Sequence, residues 1–227
     1  MDNSRTISLI GNENIKKLSK KHITIVGVGG VGGYATVMLA RAGIEHMTII
    51  DFDQVSPSNL NRQIVAYQST IGKKKVEVLK NMLLEINPNI KVTAYAERLS
   101  KENISSMITQ TDIVVDAIDS VQDKLDLIEY CKKNDIYIIS AMGSGNRYAI
   151  PEFKLVDIYQ THDDGLAKKM RGELRKRGIS SLDVVASIDK PEKIEGVIGS
   201  ISYYPAMSGC YLSGVVVNKI LKEEIWK

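Results

Sequence analysis

The stretch Ile23–Gly33, ITIVGVGGVGG, constrains this chain more than any other. An apolar run of strand formers, Ile23–Val26, passes directly into five glycines within seven positions, and Tyr34–Ala40 then reads as helix. Strand, tight loop and helix in that order open a βαβ unit. The glycines meet a steric demand, because a loop without Cβ atoms lets backbone N–H groups close on a phosphate at the positive end of the following helix. Gly27, Gly29 and Gly32 fit G-x-G-x-x-G, although glycines so spaced also serve simply to pack a helix close to a strand. The next apolar run, Met47–Ile50, ends in Asp51. That is about twenty residues past the loop, where such a unit places the acid that hydrogen-bonds a ribose. Cradle and acid together point to a purine nucleotide site.

The rest of the chain alternates apolar runs with amphipathic stretches. This predicts an α/β fold, a Rossmann-like, doubly wound and mostly parallel sheet with helices on both faces. Strands are expected near 23–26, 47–50, 91–95, 113–116 and 137–140. A helix over 75–87 places Val76, Leu79, Leu83 and Ile86 on one face before Asn87-Pro88 stops it. Leu125, Ile128 and Cys131 line a similar face, which makes Cys131 a packing residue. Beyond Ser140 the pattern shifts. Residues 153–158 read as a strand on an added antiparallel layer, 166–177 as a strongly basic helix, and 188–199 as a polar mobile loop. Neither a repeat nor a linker divides the chain, so one domain is expected over 1–227, with a crossover segment about 160–199 and a closing helix about 205–222.

Composition narrows the classes. A chain of 227 residues can bury a sizeable core, and a net charge of +3 is too small to announce nucleic-acid binding, so any basic surface has to be local. DNA is not expected as a partner. The two cysteines, Cys131 and Cys210, have no zinc spacing and read as reduced thiols in a cytoplasmic protein. MDNSRTISL holds no apolar leader core, so secretion is not expected. Residues 198–221 carry a single charge, Lys219, over a span long enough to cross a bilayer. Pro205, Asn218 and several serines and tyrosines interrupt it, so a buried helix is expected and a membrane is not.

A second set of charged residues exceeds what a dinucleotide domain needs: Asp53, then Arg62 within SNLNRQ, then Lys75. When a nucleophile attacks the α-phosphate of a triphosphate, the β- and γ-phosphates leave, and cations must hold that charge. Arg62 supplies a planar fork and Lys75 a point charge. Taken singly, each also reads as a solvated surface cation. Asp119, in DAIDS after the fourth strand, falls at the carboxyl edge of the sheet and suits Mg2+, or else the N-cap of the next helix. His162, in THDD, is the one tempting general base, although a lone loop histidine is more often structural.

GVGGVG, DFD, SNLNRQ, STIGKKK and AIDS, in that order, resemble the ThiF, MoeB and ubiquitin-activating adenylase superfamily, whose members use ATP to adenylate a carboxylate. LIEYCKKNDIYIISAMGSGNR and FKLVDIYQTHDDGLAKKMRGELRKRG extend the likeness to its tRNA threonylcarbamoyladenosine dehydratase branch. The resemblance covers roughly 5–190 well and the tail loosely. It implies ATP contacts at Gly30, Asp51, Asn59, Arg62 and Lys75, and a Mg2+-binding or catalytic acid at Asp119. It also implies that Arg5 reaches across a homodimer into the neighbouring site. Lys168, Lys169, Arg171, Arg175, Lys176 and Arg177, six cations against the single acid Glu173, then suit the phosphate backbone of a tRNA stem.

On this resemblance the threonyl carboxylate of a modified adenosine attacks the α-phosphate of ATP, pyrophosphate leaves, and ring closure expels AMP. Paired Cys-x-x-Cys zinc ligands and an acyl-accepting cysteine are not apparent, which disfavours a thioester step. Tyr148-Ala149-Ile150-Pro151 and the short piece after Lys190 depart from the branch. An adenylase for a ubiquitin-like or sulfur-carrier protein, with a sulfur-transfer partner, therefore stays open. An NAD-binding dehydrogenase needs only the glycine loop and Asp51, but leaves Arg62, Lys75 and Asp119 without a task. A nucleotide-binding module without catalysis is the remaining alternative.

Overall fold

The computed structural model describes residues 1–222. Two short helices, α1 (Ser4–Ile10) and α2 (Asn12–Lys20), precede β1 (His22–Val26), α3 (Gly32–Ala42) and β2 (His46–Ile50). Then come α4 (Lys75–Ile86), β3 (Lys91–Tyr95), α5 (Ile104–Met107), β4 (Ile113–Asp116), α6 (Val121–Lys133) and β5 (Tyr137–Ala141). β6 (Phe153–Asp157), α7 (Gly165–Lys176), β7 (Asp183–Ser187) and α8 (Tyr203–Leu221) complete the order.

The seven strands form one sheet in the order β3-β2-β1-β4-β5-β7-β6. Every pairing is parallel except β6 with β7. The chain starts at the middle of the sheet, runs outward through β2 and β3, and returns to β4 on the other side of β1. That reversal opens a crevice between the carboxyl ends of β1 and β4, the place where open α/β sheets bind ligands.

Successive side chains point to opposite faces, and the two faces bury separate cores. Ile23, Ile25, Val115 and Ile139 pack with Leu39, Leu79 and Leu212 under α3, α4 and α8. Val26, Val114 and Ile138 pack with Leu125, Ile128 and Leu174 under α6 and α7. Strands covered on both faces read as continuous apolar runs, which is why β1, β2 and β4 were legible.

One expectation needs correction, and further elements were not foreseen. The strand at 153–157 joins the edge of the same sheet instead of forming an added layer, because β7 pairs it antiparallel. β7 itself falls in a region read only as following the basic helix. The segment before the first strand, for which no element was expected, forms α1 and α2 on either side of Gly11, although α1 buries no residue. The closing helix runs 203–221, with Pro205 in its first turn, where a missing N–H costs nothing. No helix among the described residues is long and apolar enough to cross a membrane. Positions 223–227 of the expected domain lie outside the described residues.

Candidate active site

The glycine loop closes the bottom of the crevice. Gly27 has φ +85°, and a Cβ there would stand 2.7 Å from Ala117 O at the end of β4; a Cβ on Gly32 would stand 1.8 Å from Gly27 O. Only hydrogen fits at either place. The loop is thus pressed on itself and on the β4 turn, and α3 begins with no side-chain oxygen capping it. Gly33 already donates its N–H to Gly29 O at 3.0 Å, so the remaining first-turn amides are the ones an anion could meet.

Asp51 braces this loop. Oδ2 accepts the Val28 N–H at 2.8 Å and Oδ1 accepts the Asp53 N–H at 2.8 Å. Each oxygen retains a second lone-pair direction, so the acid is oriented without being saturated.

Arg62 lies on the opposite wall. A Cβ on Gly30 would approach Arg62 Cγ to 3.6 Å and Pro205 Cβ of α8 to 3.2 Å, so loop, Arg62 and α8 meet at one point. The guanidinium donates to Ser58 O at 2.7 Å and Asn61 Oδ1 at 2.9 Å through Nη1. Asn59 is buried, and its Oδ1 accepts the Ser56 N–H at 3.0 Å, which shapes the turn that presents Arg62. Lys75 opens α4 with its Nζ 2.6 Å from Asp53 Oδ2. Asp119 is exposed one residue beyond the β4 turn; Ser120 holds the N-cap position of α6, with no side-chain cap bond. The capping alternative for Asp119 therefore falls away.

The glycine loop, Asp51 and the Asp119 turn follow the carboxyl ends of β1, β2 and β4, with Arg62 and the Asp53–Lys75 pair in the segment after β2, and the ThiF family model matches residues 1–215. The chain belongs to the ThiF family. A tRNA threonylcarbamoyladenosine dehydratase of Bacillus subtilis is 33% identical over 97% of this chain and 94% of its own length. The solved structure of the E. coli tRNA N6-threonylcarbamoyladenosine dehydratase in complex with AMP superposes with a TM-score of 0.92 at 30% identity, covering 99% of this chain and 95% of that one. The same enzyme in complex with ATP gives 0.90 at 31% identity, over 97% and 93%.

Other residues singled out in this ThiF-family sequence lie apart from the crevice or serve it indirectly. Arg5 is exposed on α1. His162 is exposed, its Nδ1 3.1 Å from Asp163 Oδ2, and nothing aims it at the crevice. Cys131 is buried in the core under α6, and burial pushes its thiol up to about 12, which removes the thiolate a thioester step would need.

The basic helix α7 is less uniform than its sequence. Arg171 turns inward to Thr161, donating to its carbonyl at 2.9 Å and to its hydroxyl. Arg177 is held by Glu173 at 2.9 Å, Lys176 by the same residue at 2.7 Å, and Arg175 stacks over Tyr159 at 4.9 Å. Lys168 and Lys169 are exposed and carry no ion pair among the described residues. A groove of about 450 Å³ between α6 and α7 is lined by Val121, Gln122, Leu125, Lys169 and Glu173.

Sequence reading passed over three groups in this ThiF-family site. Gln63 follows Arg62; it is buried with Oε1 unpartnered, and its Nε2 would stand 3.7 Å from a Cβ on Gly29. Arg147 is buried and ties loops together by donating to Gly143 O, Asp163 O and Asp189 O at 2.9, 3.0 and 2.9 Å. Asn146 clasps the 188–199 segment, donating from its N–H to Gly199 O at 2.8 Å and accepting the Gly199 N–H at 2.6 Å. The GSGNR run was the available signal for the last two.

Proposed function

We propose that this chain is an ATP-dependent tRNA threonylcarbamoyladenosine dehydratase acting as a homodimer in the cytoplasm, with 1–227 as one adenylating domain. The observation that carries the reading is a chain of contacts: Arg62 packs beside Gly30 of the loop, Asp51 accepts the Val28 and Asp53 N–H groups, and Asp53 pairs with Lys75. A hydride-transfer site needs the last two alone. Similarity to named dehydratases over nearly the full chain supplies the substrate class.

In this reading Asp51 binds the ribose, and the amides around Gly27, Gly29, Gly30 and Gly32 meet the phosphates. Asn59 orders the turn, while Arg62 and Lys75 hold the charge that builds on pyrophosphate. Asp53 aims Lys75 through their 2.6 Å ion pair. The threonyl carboxylate attacks the α-phosphate, pyrophosphate leaves, and a neighbouring nucleophile of the same modified nucleoside closes the ring and expels AMP. The protein's share is positioning and charge stabilisation.

Asp119 fits Mg2+, since its carboxylate is exposed and no protein donor among the described residues occupies it. The ion takes one or two carboxylates and otherwise phosphate oxygens and water, and when bound it neutralises phosphate charge. On the RNA side, Lys168 and Lys169 carry no ion pair among the described residues, with Arg175 and Lys176 beside them. Arg171 and Arg177 serve chiefly to hold that surface in shape. Arg5 reaches the partner's triphosphate from the exposed α1.

Calorimetry with ATP and NAD tests the cofactor half of this reading. ATP is expected to bind in the presence of Mg2+ and NAD not to; equal or tighter binding of NAD would return the dehydrogenase to first place.

A further inference from the structure

An ion pair lies wholly buried beneath the crevice. Lys124 on α6 and Asp116, the last residue of β4, are each 0% exposed, and Nζ sits 2.7 Å from Oδ2. Both partners spend their remaining bonds on backbone at the carboxyl edge of the sheet. Asp116 Oδ1 accepts the Ile118 N–H at 3.1 Å, shaping the turn from Ala117 to Asp119. Lys124 Nζ also donates to Ala141 O at 3.2 Å, at the end of β5.

These bonds reach the site from two sides. The Ala117 carbonyl of that turn is the atom against which Gly27 is pressed, and Asp119 follows Ile118 directly. On the other side, Ala141 leads through Met142 to Gly143, whose N–H donates to Asp164 Oδ2 at 2.8 Å. Asp164 in turn caps α7 by accepting the Ala167 N–H at 2.8 Å. One charge pair therefore fixes the nucleotide loop, the exposed acid and the start of the basic helix in a single frame.

Stability does not account for such a pair. Removing two charges from water is costly, and well-packed apolar replacements are often as stable. What an apolar pair lacks is the set of directed bonds to Ile118 and Ala141.

We propose that Lys124 and Asp116 are positioning residues for the adenylation step, setting Asp119 and the glycine loop in register with the segment that begins α7. The proposal rests on reading this site as one that adenylates a carboxylate. Neither side chain touches solvent, so both act through their neighbours.

Two paired replacements separate positioning from folding. Asp116→Val with Lys124→Met deletes both charges and the acceptor for Ile118, whereas Asp116→Asn with Lys124→Met keeps that acceptor. Both proteins are expected to melt close to wild type and to bind ATP with unchanged affinity. With tRNA substrate, kcat for AMP release should fall about 100-fold in the valine pair, the scale expected of a displacement near 1 Å at the chemistry. It should fall about tenfold in the asparagine pair, at unchanged KM for ATP. Wild-type turnover in the valine pair, or losses of turnover that merely follow losses of melting temperature, would overturn the proposal. If the valine pair does not fold, the asparagine pair decides alone: wild-type kcat overturns the proposal and a tenfold loss at unchanged KM supports it. A wild-type protein that binds ATP yet never releases AMP would instead overturn the functional reading beneath it.

Discussion

Lys75 and Asp53 meet asymmetrically: Nζ lies 2.6 Å from Oδ2, yet the lysine side chain is 5% exposed and the aspartate 48%. A buried ammonium with one acidic partner at an open mouth leaves N–H donors for a second anion. Replacing Lys75 by methionine removes this point charge while keeping most of its volume. AMP formation should then fall by about 10²- to 10³-fold, the range for loss of one preorganised donor to developing charge. The melting temperature should change little, since Asp53 regains water. Rapid-quench assays and thermal melts check both, and turnover within a few-fold of wild type would remove Lys75 from the triphosphate.

The uneven engagement of α7 gives a graded expectation for RNA. Lys168→Ala and Lys169→Ala should each weaken tRNA binding and flatten the log–log salt dependence by roughly 0.7–0.9, while ATP affinity holds. Arg171→Ala should lower the melting temperature more than either, because it loses the bonds to Thr161. Filter binding across a salt series measures the slope; an unchanged slope would make the lysines an ordinary solvated face.

A pH-dependent contribution sits where β7 passes into the 188–199 segment. Tyr204 donates to Asp189 Oδ2 at 2.7 Å and exchanges a 2.7 Å bond with Ser187 Oγ. The Tyr204 bond, backed by the Glu152 amide and Ser187, holds the Asp189 carboxyl below its ordinary value. Burial first, and then the neighbouring carboxylate, push the tyrosine itself up to about 12, so it remains a donor at neutral pH. A carboxylate depressed on folding contributes stability above its unfolded pKa, about 3.9, and loses it as pH falls through the lower folded value. Tyr204→Phe preserves the edge contact with Phe153 and should cost about 1.5–3 kcal/mol at pH 7, with the gap from wild type narrowing below pH 4. Denaturant melts at several pH values check this, and a gap that does not vary with pH would mean the lost bond is not to a carboxylate.

Arg5 is proposed to act across a dimer, and mixing experiments address that directly. Arg5→Ala and Lys75→Ala proteins should each be nearly inactive. After subunit exchange, their heterodimers hold one doubly damaged and one intact site, so activity should return to about a quarter of wild type if sites act independently; an inserted arginine is worth about 10³ to 10⁵ in rate elsewhere in phosphoryl transfer. A mixture that stays inactive after demonstrated exchange would place Arg5 outside the partner's site.

How much of this was legible in the sequence follows from where each signal is stored. β1, β2 and β4 read clearly because burial on both faces writes a continuous apolar run, and Gly27, Gly32 and Asp51 because steric and hydrogen-bonding needs fix their type. β7 did not: Asp183–Ser187 is as long as β1 and β2, but it follows closely on the polar end of the basic helix, and its place in the sheet depends on pairing with both β5 and β6. Lys124 reads as an ordinary helix lysine until β4 and β5 close over it. Arg147 likewise gains its meaning from carbonyls supplied by segments far apart in sequence. The six cations of 168–177 looked equivalent for the opposite reason, since composition records charge but not which charges are already spent.

The most direct test incubates the purified protein with ATP, Mg2+ and tRNA carrying threonylcarbamoyladenosine, and follows AMP release together with the mass of the modified nucleoside. Stoichiometric release of AMP and pyrophosphate with loss of one water from the nucleoside is the predicted result. Binding of ATP and tRNA with no AMP formed and no water lost would contradict it.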